Sequence, residues 1–459
     1  MKEKEKKETI EEIFSRGIGS FVDPDGKFRK KLETNPEKVV IKLGVDPNRP
    51  DIHLGHAVVL RKLRQFQDIG CKVIFLIGDF TAQIGDPTGK SKIRPEVAYE
   101  EIKKNMKTYL DQIKLILRQD ESVFAWINNM DWFISITDLV FDPSRKVVIK
   151  DAEGKSITVP SNTFVGKSAE YDIIQRQKLF SKEIVNITTR TFLSTLRHIT
   201  HSQLIARDMF NERIKKGEEL YMHEMMYPVL QGIDSYVLSK IFGSCDLEVG
   251  GTDQHFNMLM GRDIMKMNNV FPQAVLSFEL LEGLDGKEKM SKSLNNYIGI
   301  TDEPSDMYGK VMSLPDSLIG RYFELCTFTS LNDIKKIKEE LKKGILHPKD
   351  AKMNLARQIV EIYHGRDKAE KAEEGFIKTF QKKEIPENIC ELKAQAGEKL
   401  TDIIVREKIV SSKTEFRRLL DKGSVTNLKT GEKIKDAHFV PQEEEEFRIG
   451  KKRFIKIVF

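Results

Sequence analysis

"VVIKLGVDPNRPDIHLGHAVVLRKLRQFQDIGCKVIFLIGDF" runs from Val39 to Phe80. Its opening, "VVIKLGVDP", is an apolar run closed by a turn, which predicts a buried strand. Over residues 52–70 the apolar positions recur at helical spacing, and Gly70 supplies the stop. "CKVIFLIGDF" is a second buried strand. Strand, helix, strand at this separation is a βαβ unit, and strands joined in that way run parallel. In an open parallel sheet, ligands bind beyond the carboxyl ends of the strands. That rule places Asp46 and Asp79 at a site. "CDLEVGGTDQ" (residues 245–254) reads as a further strand and adds Gly250 and Asp253.

Around this unit the pattern predicts helices over residues 5–14, 97–117, 193–214 and 221–241. One segment interrupts it. "RKVVIKDAEGKSITVPS" (residues 145–161) reads as two short strands around a turn at 151–154, within an insertion spanning about 139–181. Residues 302–380 read as helical. "QKKEIPENICELKAQAGEK" (residues 381–399) reads as a linker. The remainder to Phe459 reads as two short helices followed by short strands. The acidic run at residues 443–446 reads as a solvated turn.

With 459 residues the chain is too long for one ordinary core, so two or three domains are expected. Apolar residues make up 39% of it, enough for packed cores. The formal net charge is +6, a mild basic excess compatible with nucleic acid without requiring it. The four cysteines have neither metal-ligand spacing nor a disulfide framework. The charged start lacks the apolar core of a signal peptide, and no apolar run reaches membrane-spanning length. These features predict a reducing, soluble setting, most simply the cytoplasm, with no membrane partner.

Several motifs carry chemistry. "HLGH" (residues 53–56) opens the first helix, where unpaired N–H groups and a partial positive charge favour phosphate. His53 and His56 share a face and can donate to phosphate oxygens, and Gly55 leaves room for a flat base. Neither this pair nor His198 and His201 has a third ligand nearby, so no protein-held metal is expected. "IGDPTGKS" (residues 84–91) is one residue short of a P-loop. It leaves Asp86 in a turn, with Lys90 and Arg94 either as two solvated loop charges or as a cationic arm for a polyphosphate. In "EMMYPVLQGID" (residues 224–234), Tyr227, Gln231 and Asp234 fall on one helix face. Burial would require partners for all three, from a polar network or a small polar ligand. "GKEKMSKSLNN" (residues 286–296) is a polar loop carrying Lys289, Ser291, Lys292 and Ser293, with Met290 as its apolar anchor.

In this order, "HLGH", "GGTDQ" and "KMSKS" resemble the signatures of class I aminoacyl-tRNA synthetases. The Tyr227, Gln231, Asp234 stripe and "NNMDW" (residues 128–132) resemble the tyrosine subfamily. Residues 400–428 are similar to the RNA-binding fold of ribosomal protein S-four, which many bacterial members carry at the C-terminus. The resemblance implies a doubly wound parallel-sheet, Rossmann-like α/β catalytic domain at 1–300. A helical tRNA-binding domain at 301–380, a linker at 381–397 and a small α+β RNA-binding domain at 398–459 would follow.

It also implies roles. L-tyrosine is activated by ATP, with Mg2+ accompanying the nucleotide, and passed to the 3′ end of tRNA(Tyr) by a homodimer. Lys289 and Lys292 would neutralise charge on the departing pyrophosphate, with Met290, Ser291 and Ser293 supporting the loop. His53 and His56 would hold the triphosphate, and Lys90 and Arg94 would reach it from the other side. Gly55 and Gly250 would admit ATP, and Asp253 would accept from its ribose. Asp86, Tyr227 and Gln231 would bind the substrate ammonium, with Gln254 near its carboxylate. Asp234 would accept from the phenolic hydroxyl, and Asn129 belongs to the same pocket. Lys413, Arg417, Arg418 and Lys422 would grip tRNA phosphates. Lys42 stands where the best-known members place a tyrosine that touches the hydroxyl. It either helps to read the hydroxyl or turns out to solvent. A tryptophan-specific relative and a non-catalytic RNA-binding protein are the rival readings.

Overall fold

The computed structural model describes residues 10–88, 97–137, 147–150, 156–159, 176–378, 390–395, 397–410, 412–450 and 453–459. The chain divides into two compact units. Residues 1–302 and 313–355 form the first, and 303–312 and 356–459 the second.

The first unit is built on a six-stranded sheet. Its strands are β1 (Ile18–Val22), β2 (Val40–Val45), β3 (Lys72–Ile77), β4 (Phe124–Asn128), β5 (Leu247–Gly251) and β6 (Ala274–Phe278), in the order β1-β6-β5-β2-β3-β4. β1 pairs antiparallel with β6, and every other pair is parallel. The βαβ reading holds: β2 and β3 are joined by α1 (Leu54–Asp68), which ends before Gly70 at φ +104°. The strand order reverses between β2 and β5, so a crevice opens there at the carboxyl ends.

One face of the sheet is covered by α2 (Met222–Phe242), itself packed on α3 (His255–Met267). Val40, Ile74, Leu76, Ala125 and Ile127 meet Val229, Ile233, Val237 and Ile241 in one buried cluster. Val40 and Lys42 are two apart on one strand, so they share a face. A lysine therefore enters an apolar layer under α2, with chemical consequences described below.

The predicted helix over 193–214 is instead three short ones, Thr189–Leu196, His201–Ile205 and Asp208–Lys215. Thr200 explains the break. Its side chain accepts from Gln203 N while Gln203 Oε1 accepts from Thr200 N, a capping box that starts a new helix. His198 and His201 consequently do not share a helix. Helix residues 10–15 match the amphipathic start as far as it is described. Strands Val147–Lys150 and Ser156–Val159 pair antiparallel, as the hairpin reading expects. The turn between them lies outside the described residues.

In the second unit, β7 (Cys390–Lys393), α4 (Leu400–Arg406), α5 (Lys413–Asp421), β8 (Val425–Asn427), β9 (Glu445–Ile449) and β10 (Arg453–Val458) share a core. Leu392, Ile404, Phe416, Phe447 and Ile455 lie at its centre. The sheet order is β8-β9-β10-β7. Two expectations are corrected here. Residues 390–393, read as linker, form a strand parallel to β10, and Glu445 and Glu446, read as turn, begin β9. The helical stretch after residue 302 is divided between the units, with 313–355 in the first.

Candidate active site

A cleft of about 1080 Å³ opens at the carboxyl ends of β2 and β5. Its lining includes Asp46, His53, His56, Asp86, Tyr227, Gln231, Asp234, Asp253, Gln254, Lys289 and Lys292. The volume is large for one small ligand and suits two bound side by side.

At one end lies the start of α1. The His53 and His56 rings lie against each other, tilted by 31°, with centroids 3.9 Å apart. His53 N–H donates to His56 Nδ1 at 3.4 Å, which puts the His56 proton on Nε2, ready to donate. His53 Nδ1 is buried and makes no hydrogen bond to the protein. Burial pushes the His56 imidazole down to about 3 and that of His53 well below its usual value. Lys289 and Lys292 add to the effect in both. The pair is therefore neutral at pH 7, a set of N–H dipoles rather than of cations. A Cβ on Gly55 would sit 3.1 Å from the His53 ring, so glycine keeps this wall open. Gly250 has a similar role, with Gln254 Cβ and Met258 Sδ each 3.2 Å from a built Cβ.

The 286–296 loop closes the same end. Met290 is buried and donates its N–H to Leu281 O at 2.7 Å. Asn296, also buried, accepts from Ser291 N and donates to Asp285 Oδ2 and Lys289 O, so it ties the loop together. Lys289 Nζ pairs with Asp253 Oδ2 at 2.8 Å. Lys292 donates to Arg49 O at 3.0 Å and Tyr109 OH at 3.3 Å. Burial brings the Lys292 ammonium down to about 8. The Ser293 side chain, Lys90 and Arg94 lie outside the described residues.

The other end is walled by α2. Asp234 is 3% exposed. It accepts from Trp132 Nε1 at 3.0 Å and Asn129 Nδ2 at 3.3 Å. Burial pushes its carboxyl up to about 7, against the pull of Lys42 and those two donors. Tyr227 OH donates to Asp46 Oδ2 at 2.9 Å, and Asp46 Oδ1 accepts from Thr81 Oγ1 at 2.7 Å. Asp86 accepts from Thr88 N, Thr88 Oγ1 and Gln254 Nε2. Arg207 stands behind it, Nη2 to Oδ1 at 3.9 Å.

Lys42 lines this end but does not turn out to solvent. It is fully buried and pairs with Glu248 at 2.9 Å. Its other two N–H bonds go to Ser235 Oγ and Gln231 O. All three donors of the ammonium are taken, leaving none for a substrate hydroxyl. Asp79 also departs from expectation. Its carboxylate accepts from Phe80 N, Met130 N and Asn128 Nδ2, so it ties two loops together outside the cleft lining.

Sequence reasoning missed Thr81, Tyr109, Trp132, Glu248, Asn257 and Asn296. "NNMDW" contained a signal for Trp132, because an indole N–H beside a buried carboxylate needs a partner. Glu248, directly opposite Lys42 in the parallel register, offered none without the fold. Lys413, Arg417, Arg418 and Lys422 lie in the second unit, all exposed on or beside α5, with Lys413 paired to Asp402 at 2.7 Å.

Comparison with known proteins places the chain in a family. The family described as tRNA synthetases class I (W and Y) matches residues 34–142 and 179–381, skipping the stretch that carries the hairpin. The chain is 39% identical to a tyrosine–tRNA ligase of Carboxydothermus hydrogenoformans, over 98% of this chain and 97% of that one. It is 36% identical to one of Francisella tularensis subsp. tularensis, over 98% of each. Its fold is similar to that of a C-terminally truncated Aspergillus nidulans mitochondrial tyrosyl-tRNA synthetase. There the TM-score is 0.56 at 23% identity, covering 82% of this chain and 97% of that one. On the family match and these full-length identities, the chain belongs to the class I tRNA synthetases of the tryptophan and tyrosine group, within the tyrosine–tRNA ligase family.

Proposed function

We propose that the cleft performs both steps of tyrosine–tRNA ligation, with its two ends divided between ATP and the amino acid. The reaction is ATP-dependent: tyrosine is activated as its adenylate, pyrophosphate leaves, and tyrosine passes to tRNA. The observation that carries the division of labour is the contrast between the ends. Neutral histidines and two lysines face one, while Tyr227, Gln231 and a buried Asp234 face the other.

A carboxylate is already ionised at neutral pH, so its attack on the α-phosphate needs no general base. Catalysis then rests on positioning and on charge stabilisation. His53 and His56 donate to the triphosphate. Lys289 and Lys292 meet the charge that grows on pyrophosphate, supported by Met290, Ser291 and Ser293, with Lys90 and Arg94 opposite. Asp253 accepts from the ribose with lone pairs that Lys289 does not use. Gly55 and Gly250 leave space for the nucleotide. Asp86, Tyr227 and Gln231 take the ammonium, and Asp234, braced by Asn129 and Trp132, takes the phenolic O–H. Gln254 spends one N–H on Asp86 and one lone pair on Asn257, so its second N–H can reach the substrate carboxylate and its second lone pair the ammonium.

Mg2+ would arrive with the triphosphate. The neutral imidazoles and ammonium ions facing that end fit phosphate oxygens rather than a metal, and the Asp253 carboxylate there is paired with Lys289. Among the described residues no cluster of three metal-ligating side chains stands ready. The exposed cations of α5 would hold tRNA phosphates, and a cytoplasmic homodimer is the assembly the family implies. No described helix is long and apolar enough to cross a membrane.

ATP–pyrophosphate exchange with each standard amino acid in turn is the test. Tyrosine alone should drive it. Exchange driven by another amino acid, or by none, overturns the reading.

A further inference from the structure

A line of buried hydrogen bonds runs beneath the amino-acid end of the cleft. It begins with Lys42 and Glu248, paired across β2 and β5 and 0% and 1% exposed. Glu248 Oε1 accepts from Lys42 Nζ at 2.9 Å and from Gln231 Nε2 at 3.1 Å. Its Oε2 accepts from Ser235 Oγ at 3.0 Å and from Gln273 Nε2. Gln231 Oε1 accepts from Asn257 Nδ2 at 3.0 Å, and the same amide donates to Gln254 Oε1 at 3.0 Å. Gln254 Nε2 ends the line on Asp86 Oδ2 at 2.7 Å.

The two ends dictate the middle. A carboxylate can only accept, so Glu248 and Asp86 each compel a glutamine to turn its NH2 toward them. Both glutamine oxygens must then face Asn257, whose single NH2 forks between them. An amide oxygen has two lone pairs, and Asn257 uses one of each. We propose that Lys42, Glu248 and Asn257 are positioning residues that lock the Gln231 and Gln254 amides with their oxygens presented, so that this end of the cleft accepts hydrogen bonds from the substrate's ammonium group. None of the three touches the substrate. Lys42 thus serves amino-acid recognition through Gln231, and reading of the hydroxyl stays with Asp234.

This inference rests on the proposal that the cleft binds tyrosine. Lys42→Met, Asn257→Leu and the double variant Lys42→Met/Glu248→Leu are compared with the unaltered chain in tyrosine-dependent exchange. The KM for tyrosine should rise about tenfold or more, the usual loss for a hydrogen bond to a charged group. The kcat and the KM for ATP should stay within about twofold, because the lost interaction is made equally in ground and transition states. In Asn257→Leu and in the double variant, which removes both charges that act on Asp234, the inhibition constant of 3-(4-hydroxyphenyl)propionate, which lacks the ammonium, should not move. Discrimination against phenylalanine should persist in the same two variants.

Lys42→Met leaves the Glu248 charge unpaired and so threatens folding; the double variant removes both charges. Ser235→Ala deletes one hydroxyl from the same network and should shift the tyrosine KM in the same direction by less. An unmoved tyrosine KM in the folded variants overturns the inference. So does an equal loss for the deaminated ligand, which would mark a merely structural role. If the unaltered chain shows no tyrosine-driven exchange, the function itself is overturned, and this inference with it.

Discussion

Asp234 is the residue whose chemistry depends most on its surroundings. Its carboxyl titrates at about 7 because burial outweighs the help of Lys42, Asn129 and Trp132, while Glu248 opposes ionisation. A folded-state value above the unfolded one means that the native protein holds this proton more tightly. The associated stability is therefore full below the unfolded value near 3.9 and is lost as pH rises through 7. Asp234→Asn should flatten that decline between pH 5 and 8 by a few kcal/mol, read from urea midpoints. Function should run the other way. The ionised form accepts the phenolic O–H, so the KM for tyrosine should climb as pH falls below 7, while that for phenylalanine stays flat. In Asp234→Asn the preference for tyrosine over phenylalanine should drop about 10- to 100-fold. Lys289 offers a second residue-scale test. Lys289→Ala should slow adenylate formation by roughly 10²–10³ with tyrosine affinity unchanged, since one charge contact is removed from a preorganised site. An unaltered single-turnover rate would separate Lys289 from the chemistry.

At the scale of elements, helix ends explain several buried cations. Arg16 donates to the carbonyls of Phe323, Glu324, Thr327 and Thr329, where helix Ile319–Cys326 ends. Arg61 reaches Thr327 O as well, and Lys62 donates to Glu12 O and Ile13 O. These cations satisfy the carbonyls that a helix leaves unpaired at its end. Arg16→Ala should cost roughly 2–4 kcal/mol in urea denaturation, and Arg16→Lys should recover only part, because an ammonium cannot fork over four carbonyls. Nothing in the sequence near Arg16 marks it, since its partners lie some three hundred residues away. Elements with local signals were legible: α1 with its Gly70 stop, β2 and β3 as apolar runs, and the polar stripe of α2. Thr200 and Gln203 also formed a local signal, a capping box inside a long apolar pattern, and periodicity alone ran straight across it. The cleft follows the same division. Residues in motifs could be named beforehand, whereas Glu248 and Asn257 matter only because the sheet brings Glu248 opposite Lys42 and α3 brings Asn257 beside Gln231.

At the scale of the whole molecule, the C-terminal sheet of the second unit has a core of its own, and that sheet begins earlier than composition suggests. "CELK" is too short and too polar to announce a strand, and its partner is the last strand of the chain. A truncation at residue 399 would therefore leave β7 without its neighbour. Ending the chain after residue 389 removes that strand as well and should leave tyrosine-dependent exchange within about twofold of normal. Charging of tRNA should weaken, with a shallower dependence on salt, because the exposed cations of α5 go with it. Normal charging by the shortened chain would assign residues 390–459 another partner. The pairing has a mechanical side too. β7 and β10 run parallel, with Cys390 beside Ile455 and Lys393 beside Val458. The start of one strand and the end of the other thus lie at opposite ends of the ladder. Tension drawn between residue 390 and Phe459 loads those four paired positions in shear, all at once, instead of peeling them one by one.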